Sequence, residues 1–424
     1  MKRRIIYAML GLAAAFLAQA AVPGAEPVVG PAEDVAPRAE GTRCQAWPRA
    51  AWSEGAKCWL VVWCEGFAGE QETDIWCARV SADGKALDPA GLRVTKAKDI
   101  QERPVVASDG KGFLVAWGDY RNGKDWDVYA ARVSGDGKVL DPDGLLVAGG
   151  EHSQVWPTVA FAAGNYMVVW QNFVPDVASD RAGLKYGSYE LRGARVSPEG
   201  KVLDTQGLPL AAPTAYRPEM VANAAGGLWL AWIGRPDKVM LLFDVNGINL
   251  LGIDAVKGAA QGAPSAYTKG TCPFGSRFLP ALAGMGDKGG FVAATSYYGG
   301  CVVYPFNGAG KAAGEGVRLG HTERDEFKAA YSAAADGERC LITLDCIGGS
   351  NKKLGQPWVG VWGWFLGPDG KVLAGEKTGF QIAAGEDKDR MHGFGCAGPK
   401  GAFLAVYSET RGVDDVKVVA RLVK

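Results

Sequence analysis

The stretch RPVVASDGKGFLVAWGDYRNGKDWDVYAARVSGDGKVLDPDGLLV, from Arg103 to Val147, holds four short apolar runs rich in β-branched and aromatic residues. SDGKG, DYRNGKD and SGDGKVLDPDG separate the runs, and clusters of Gly, Asn, Asp and Pro turn a chain back on itself. Apolar runs of strand length between such turns read as a four-stranded antiparallel sheet.

Outward from this stretch the same grammar repeats. The preceding unit runs from Trp47 to Val94, with WLVVW (Trp59 to Trp63) and DIWCARV (Asp74 to Val80) as its second and third strands. The following unit begins at Trp156-Pro157 and carries YMVVW (Tyr166 to Trp170) and LRGARV (Leu191 to Val196). LWLAW, FVAAT, LITLD and FLAVY, starting at Leu228, Phe291, Leu341 and Phe403, mark the second strands of four looser copies. The last copy stops after its third strand, while EPVVGPAEDVAPRAEG from Glu26 reads as a spare fourth strand. A ring of sheets has no exposed edge if the two ends complete one blade, Val28-Val29 pairing with Val416 to Val423. The expected fold is therefore all-β: a seven-bladed β-propeller of four-stranded antiparallel blades, closed by the N-terminal strand. An open solenoid would need capping units at both ends, and none is visible.

The pattern PxVASDGKGFLVAWxDxR…DVYAARVSxDGKVLDPxG resembles the repeats of uncharacterised exported bacterial β-propeller proteins. The resemblance covers nearly all of the chain after its first residues and is most marked in the first three units. The GH…WD pair, the kelch double Gly and the SxDxGxTW Asp-box of sialidases are absent. What the resemblance implies is a fold and no activity.

Charge is balanced, 46 basic against 46 acidic residues, and no basic stripe is visible, which argues against nucleic acid or an anionic membrane as partner. MKRR, an apolar run from Ile5 to Leu17 and the small-x-small site Ala18-Gln19-Ala20 have the form of a signal peptide, and the run is too short to span a membrane. Residues 1–20 are read as a leader and 21–424 as one propeller, secreted or periplasmic. Nine cysteines in an exported chain imply disulfides, and their odd number leaves one over. Cys272, in an insert before the fifth unit, is placed to pair with Cys301. Cys396 is placed to pair with Cys58 or Cys340. No cysteine pair has metal spacing, and no P-loop, dinucleotide fingerprint, EF-hand or nucleophile elbow occurs, so no metal or cofactor is expected.

Two repeated features read as structural. Arg79, Arg132 and Arg195 each precede an Asp by nine residues (Asp88, Asp141, Asp204), and both members vanish together in units four to six. That is a salt bridge across the hairpin from third to fourth strand. Gln45, Gln101 and Gln154 each stand three residues before a Pro, in register to tie a loop to the neighbouring blade.

Chemistry is sought on the opposite face, where connection lengths vary. The loops Asn172 to Glu190, Lys257 to Phe278 and Ile347 to Pro357 are elaborated, and loops on a rigid scaffold are where binding surfaces are built. Rim aromatics there, Trp47, Tyr120, Trp156, Tyr186, Tyr267 and Trp358, suit sugar rings or a protein partner. The three histidines, His152, His321 and His392, fall in blade-to-blade connections, and His321 and His392 with Asp387 and Asp389 are the candidate catalytic set. The expected function is a non-catalytic binding or scaffold propeller presenting this face to a glycan or an extracellular protein. The alternative is a carbohydrate-active enzyme, a polysaccharide lyase or glycoside hydrolase, with its site at the mouth of the central channel. Converging titratable groups with displaced pKa values would mark the enzyme, and a rim of available aromatics the binder.

Overall fold

The four runs of the Arg103–Val147 stretch form the strands Gln101–Ser108, Phe113–Asp119, Asp127–Val133 and Leu145–Ala148, paired antiparallel in chain order in the computed structural model. The structure describes residues 26–37, 43–67, 72–179, 185–223, 226–234, 247–267, 280–295, 301–319, 328–346, 350–351, 356–357, 360–376, 379–384, 390–412 and 415–424. Phe113–Asp119 is buried along its whole length because both its faces meet other sheets. This explains why FLVAW is continuously apolar instead of alternating. Phe113, Val115 and Trp117 share a core with Leu60 and Val62 of the preceding sheet, while Leu114 and Ala116 share one with Val168 and Trp170 of the next. Successive side chains on a strand point to opposite faces, so residue parity decides which neighbour each one meets.

Further four-stranded antiparallel sheets follow the same order. One contains Gln154–Ala162, Asn165–Ser179, Lys185–Val196 and Leu208–Ala211. The next contains Ala215–Ala222, Leu228–Gly234, Gly247–Asp254 and Ala259–Ala266. Ala281–Gly284, Gly290–Thr295, Cys301–Phe306 and Val317–Leu319 form another, and Lys328–Ala335, Cys340–Cys346 and Gly360–Leu366 begin the one after it. The strands of the first unit, starting at Arg43–Ser53, join those of the last, ending at Asp415–Val423, through one parallel pairing of Cys44 with Val416. The N-terminal segment lies along the free edge of that last strand. Val28 N–H donates to the Lys424 carbonyl at 2.9 Å, Lys424 N–H returns to Val28 at 3.0 Å, and Glu33 stands opposite Ala420.

The first strand of each sheet touches the first strand of the next. Arg43–Ser53 lies against Gln101–Ser108, that strand against Gln154–Ala162, and that against Ala215–Ala222. Contacts continue through Ala281–Gly284 and Lys328–Ala335 to Arg390–Ala397, which lies against Arg43–Ser53.

The repeated ion pair is present and does more than close a hairpin. Arg132 Nε and Nη2 donate to the two Asp141 oxygens at 2.8 Å each, and its Nη1 donates to the Pro198 carbonyl of the next sheet at 3.4 Å. Gln45 likewise ties sheets together: its Oε1 accepts from Val418 N–H at 2.9 Å.

Three expectations are corrected. Over its described residues the Asn172 to Glu190 connection is a ladder extending the hairpin, with Asn172 opposite Glu190, Phe173 opposite Tyr189 and Val174 opposite Ser188. The first part of the Lys257 to Phe278 insert is the fourth strand Ala259–Ala266. Cys396 is bridged to neither Cys58 nor Cys340. Cys396 packs beside Trp59, whereas Cys58, one position earlier, faces the opposite sheet with Phe113. Cys340 points toward Phe291, and it is Leu341 that faces Phe403 of the last sheet. Parity turns both thiols away from Cys396. Cys272 lies outside the described residues.

Candidate functional site at the channel mouth

The first strands of four consecutive sheets share one irregularity. Each breaks register at an X-Pro pair: between Ala46 and Arg49, Glu102 and Val105, Val155 and Thr158, and Tyr216 and Glu219. The residue before each proline, Trp47, Arg103, Trp156 or Arg217, has φ of 55–57°. A following proline disfavours the right-handed helical region, and left-handed backbone at a residue with a Cβ carries a strain of roughly 1 kcal/mol or more. The same strained bulge at four successive inner strands re-aims four side chains toward one place.

Those side chains interleave. The Arg103 guanidinium lies 4.3 Å from the Trp47 ring centroid and 3.7 Å from that of Trp156. Arg217 lies 4.0 Å from the same Trp156 ring. Two guanidinium groups so close to one ring cannot share a face, so Trp156 is covered on both sides. The two tryptophans meet edge-on at 6.5 Å. Arg103 Nε also donates to Glu102 at 2.9 Å, and Arg217 N–H donates to Gln171 Oε1 at 2.6 Å.

Beneath this stack the residue after each proline faces inward. Val105 and Thr158 occupy two of these positions, and Arg49 and Glu219 occupy the others. A cavity of about 120 Å³ is lined there by Arg49, Thr158, Glu219, Ser332 and Phe394, among others, and a smaller gap bordered by Trp47, Arg103, Trp156 and Glu219 leads toward the stack. That volume holds about four waters and no sugar ring. Arg49 is buried against the Phe394 ring at 4.8 Å and donates to the Pro48 carbonyl at 3.2 Å. Burial raises the Glu219 carboxyl to about 7, with the charge of Arg49 pulling it down only in part. Glu219 is the only carboxyl lining either cavity among the described residues. A group poised near neutrality can give or take a proton at physiological pH.

Of the candidates named from sequence, Trp47 and Trp156 are at this mouth but are engaged with arginines. Tyr120 packs on Trp126 at 5.3 Å. The Tyr267 hydroxyl donates to the Gly310 carbonyl of the next sheet at 2.6 Å, its ring is edge-on to Phe306, and burial raises its pKa. Tyr120, Tyr267 and the two tryptophans are thus each engaged by partners within the fold. His321, Asp387, Asp389 and Trp358 lie outside the described residues, and of Tyr186 and His392 only the backbone is described. His392 stands at the register break between Met391 and Phe394, the counterpart of the Trp47 position. Sequence reading missed Glu219 and Arg49. Their signal was the residue after each repeated Pro, charged in two units of four and uncharged at Val105 and Thr158.

The sequence matches no family model and no curated protein sequence. Among solved structures, a protein of unknown function from Dyadobacter fermentans superposes with a TM-score of 0.54 at 11% identity, over 95% of this chain and 100% of that one. The parainfluenza virus 5 hemagglutinin-neuraminidase ectodomain gives 0.49 at 8% identity, over 95% and 87%. Trypanosoma rangeli sialidase, in complex with sialic acid, gives 0.44 at 9% identity, over 89% and 54%. At such identities the likeness carries the fold alone, that of an all-β chain of four-stranded antiparallel sheets. The expectation of a non-catalytic scaffold is nonetheless corrected. At the mouth, the Glu219 carboxyl, raised by burial to about 7, lines one cavity with Arg49, a titratable group of the kind expected of the carbohydrate-active alternative.

Proposed function

We propose that this chain is an exported carbohydrate-active enzyme that cleaves an acidic glycan at the channel mouth, with Glu219 as its proton-transfer residue. The observation that carries the reading is the Glu219 carboxyl, raised to about 7 in a channel it shares with Arg49. Arg49, Arg103 and Arg217 against Glu102 and Glu219 leave the mouth cationic, which suits a carboxylated or sulfated sugar. Because the cavity is too small for a pyranose, the sugar sits on the Trp47–Arg103–Trp156–Arg217 stack and exchanges a proton with Glu219 through one water held in the gap beneath it.

The scaffold in this reading is one seven-bladed propeller over residues 21–424, residues 1–20 being a removed leader. Contacts of each first strand with the next, returning from Arg390–Ala397 to Arg43–Ser53, support a closed ring. The pairing of Val28 with Lys424 and of Glu33 with Ala420 supports closure by the N-terminal strand. Among the described residues no helix is long and apolar enough to cross a membrane.

The test is incubation with polygalacturonate, alginate, hyaluronan, chondroitin sulfate and sialylated oligosaccharides. Reducing ends read hydrolysis, and ultraviolet absorbance of an unsaturated sugar reads elimination. Wild-type protein should cleave at least one, and Glu219→Gln should lose about 10²–10⁴-fold in rate. Cleavage of none, or full activity in Glu219→Gln, would overturn the reading.

A further inference from the structure

The third sheet carries a hairpin longer than its neighbours. In the second sheet the ladder ends at Asp119 opposite Asp127, whereas Asn165–Ser179 and Lys185–Val196 continue to Ser179 opposite Lys185. The added length carries aromatic rings on the face where the channel opens. Phe173 lies edge-on to Tyr189 at 5.4 Å, and Tyr189 edge-on to Tyr216 at 5.9 Å. At the outer end the exposed His152 ring stands edge-on to Phe173 at 5.6 Å. Phe173, Tyr189 and Tyr216 are only half-buried.

This row is continuous with the mouth, since Tyr216 is the chain neighbour of Arg217, which covers Trp156. It is also held in place. A Cβ on Gly187 would come within 2.1 Å of the Phe173 ring, so only glycine lets that ring lie on the opposite strand. The Tyr216 hydroxyl shares a 2.9 Å hydrogen bond with Ser188 Oγ, which also accepts from Thr214 N–H at 3.1 Å. Pre-set rings lose little entropy on binding, and hydroxyls at their edge match the alternation of CH faces and hydroxyls on a pyranose. Glu190, bonded to Asn172 and Arg192, adds polar groups beside them.

We propose that Phe173, Tyr189, Tyr216 and His152 form a second sugar subsite, which takes the pyranose rings of a glycan chain running outward from the mouth. The inference rests on the reading of the mouth as glycan-processing and specifies its substrate as an oligomer, not a single sugar.

The experiment uses full-length Glu219→Gln protein and calorimetric titration with hexasaccharides and disaccharides of galacturonate, mannuronate and hyaluronan. A hexasaccharide should bind at least tenfold tighter than its disaccharide. Phe173→Ala and, separately, His152→Ala should each weaken the hexasaccharide by about threefold to tenfold and leave the disaccharide unchanged. His152 is exposed, so its variant tests the wall even if Phe173→Ala unfolds. Equal losses for both lengths, no loss, or no binding of any hexasaccharide would overturn the subsite. If the polymers are cleaved but these variants show no length dependence, the subsite fails and the reading of the mouth stands. Length-dependent loss without cleavage of any polymer would retain the subsite and refute the enzyme.

Discussion

The Arg79 guanidinium holds both oxygens of Asp88 at 2.8 Å and extends its Nη1 to the Gly135 carbonyl on the next sheet at 3.3 Å. One side chain thus closes its own hairpin and fastens it to its neighbour. Arg132 with Pro198 repeats the arrangement, and Arg195 reaches the Val256 carbonyl in the same way. Each of these ion pairs is mostly buried, so each is worth more than an exposed surface pair.

Arg132→Ala should therefore lower unfolding free energy by about 2 kcal/mol, read by chemical denaturation, since it strands a half-buried carboxylate. Replacing both partners, Arg132→Met with Asp141→Leu, should recover part of the loss. In Asp88 and Asp141 burial opposes ionisation, yet hydrogen bonds from the arginine outweigh it and hold the carboxyls below the usual range; in Asp204 the Arg195 hydrogen bond is the largest influence. A depressed folded pKa gives stability that is present above the unfolded value and lost as pH falls through the folded one. Wild type should accordingly lose more stability than the double variant on going from pH 5 toward pH 2.

Gly137 separates backbone strain from contact. Its φ is 91°, and a Cβ there would stand 2.8 Å from Arg79 Nε. Gly123 has φ 69° with nothing within 4 Å of the same atom. Gly123→Ala should cost about 1 kcal/mol from backbone strain alone, and Gly137→Ala clearly more, by thermal or denaturant unfolding. Equal costs would show that Gly137 does not limit how closely the two hairpins approach.

Glu219 should make stability depend on pH in the opposite sense to the aspartates. Its folded carboxyl sits at about 7 against an ordinary 4.5, raised chiefly by burial. A raised carboxyl pKa stabilises fully below the unfolded value, and that contribution is lost as pH rises through about 7. Discounted for its partial exposure, the loss between pH 4.5 and 8 should be about 1–2 kcal/mol in wild type relative to Glu219→Gln. Parallel stability profiles for the two proteins would refute the raised carboxyl.

The buried thiols should be silent while the protein is folded. Burial raises Cys64 and Cys396 to about 12 and pushes Cys58, Cys77 and Cys340 up as well. Iodoacetamide at neutral pH should leave all five unmodified in native protein and label all five after denaturation without reductant. Failure to label Cys58, Cys340 or Cys396 in the unfolded chain would point to a disulfide.

Removing the N-terminal strand tests the seam. Deleting residues 26–36 exposes the edge of Asp415–Val423 and uncovers Val35, which is fully buried against the last and first sheets. The melting temperature should drop by several degrees and aggregation should rise. An unchanged melt would show that the pairing contributes nothing to closure.

What depends on neighbours along the chain can be read from the residues alone. FLVAW and its copies were legible as buried strands, and SDGKG and its copies as turns. The Arg132–Asp141 pair was legible because nine residues with a turn between them return the chain to its own hairpin. Tertiary structure alone decided what depends on parity and on distance across the channel. Cys58 and Cys396 looked like partners until the alternation of side chains turned them to different faces. Trp47 and Trp156 looked available until bulges on four separate strands brought Arg103 and Arg217 onto their rings. Glu219 is 170 residues from Arg49 in sequence, and its raised pKa arises only where their two strands line one cavity. Desolvation is a property of everything packed around a group, and no local pattern of residues encodes it.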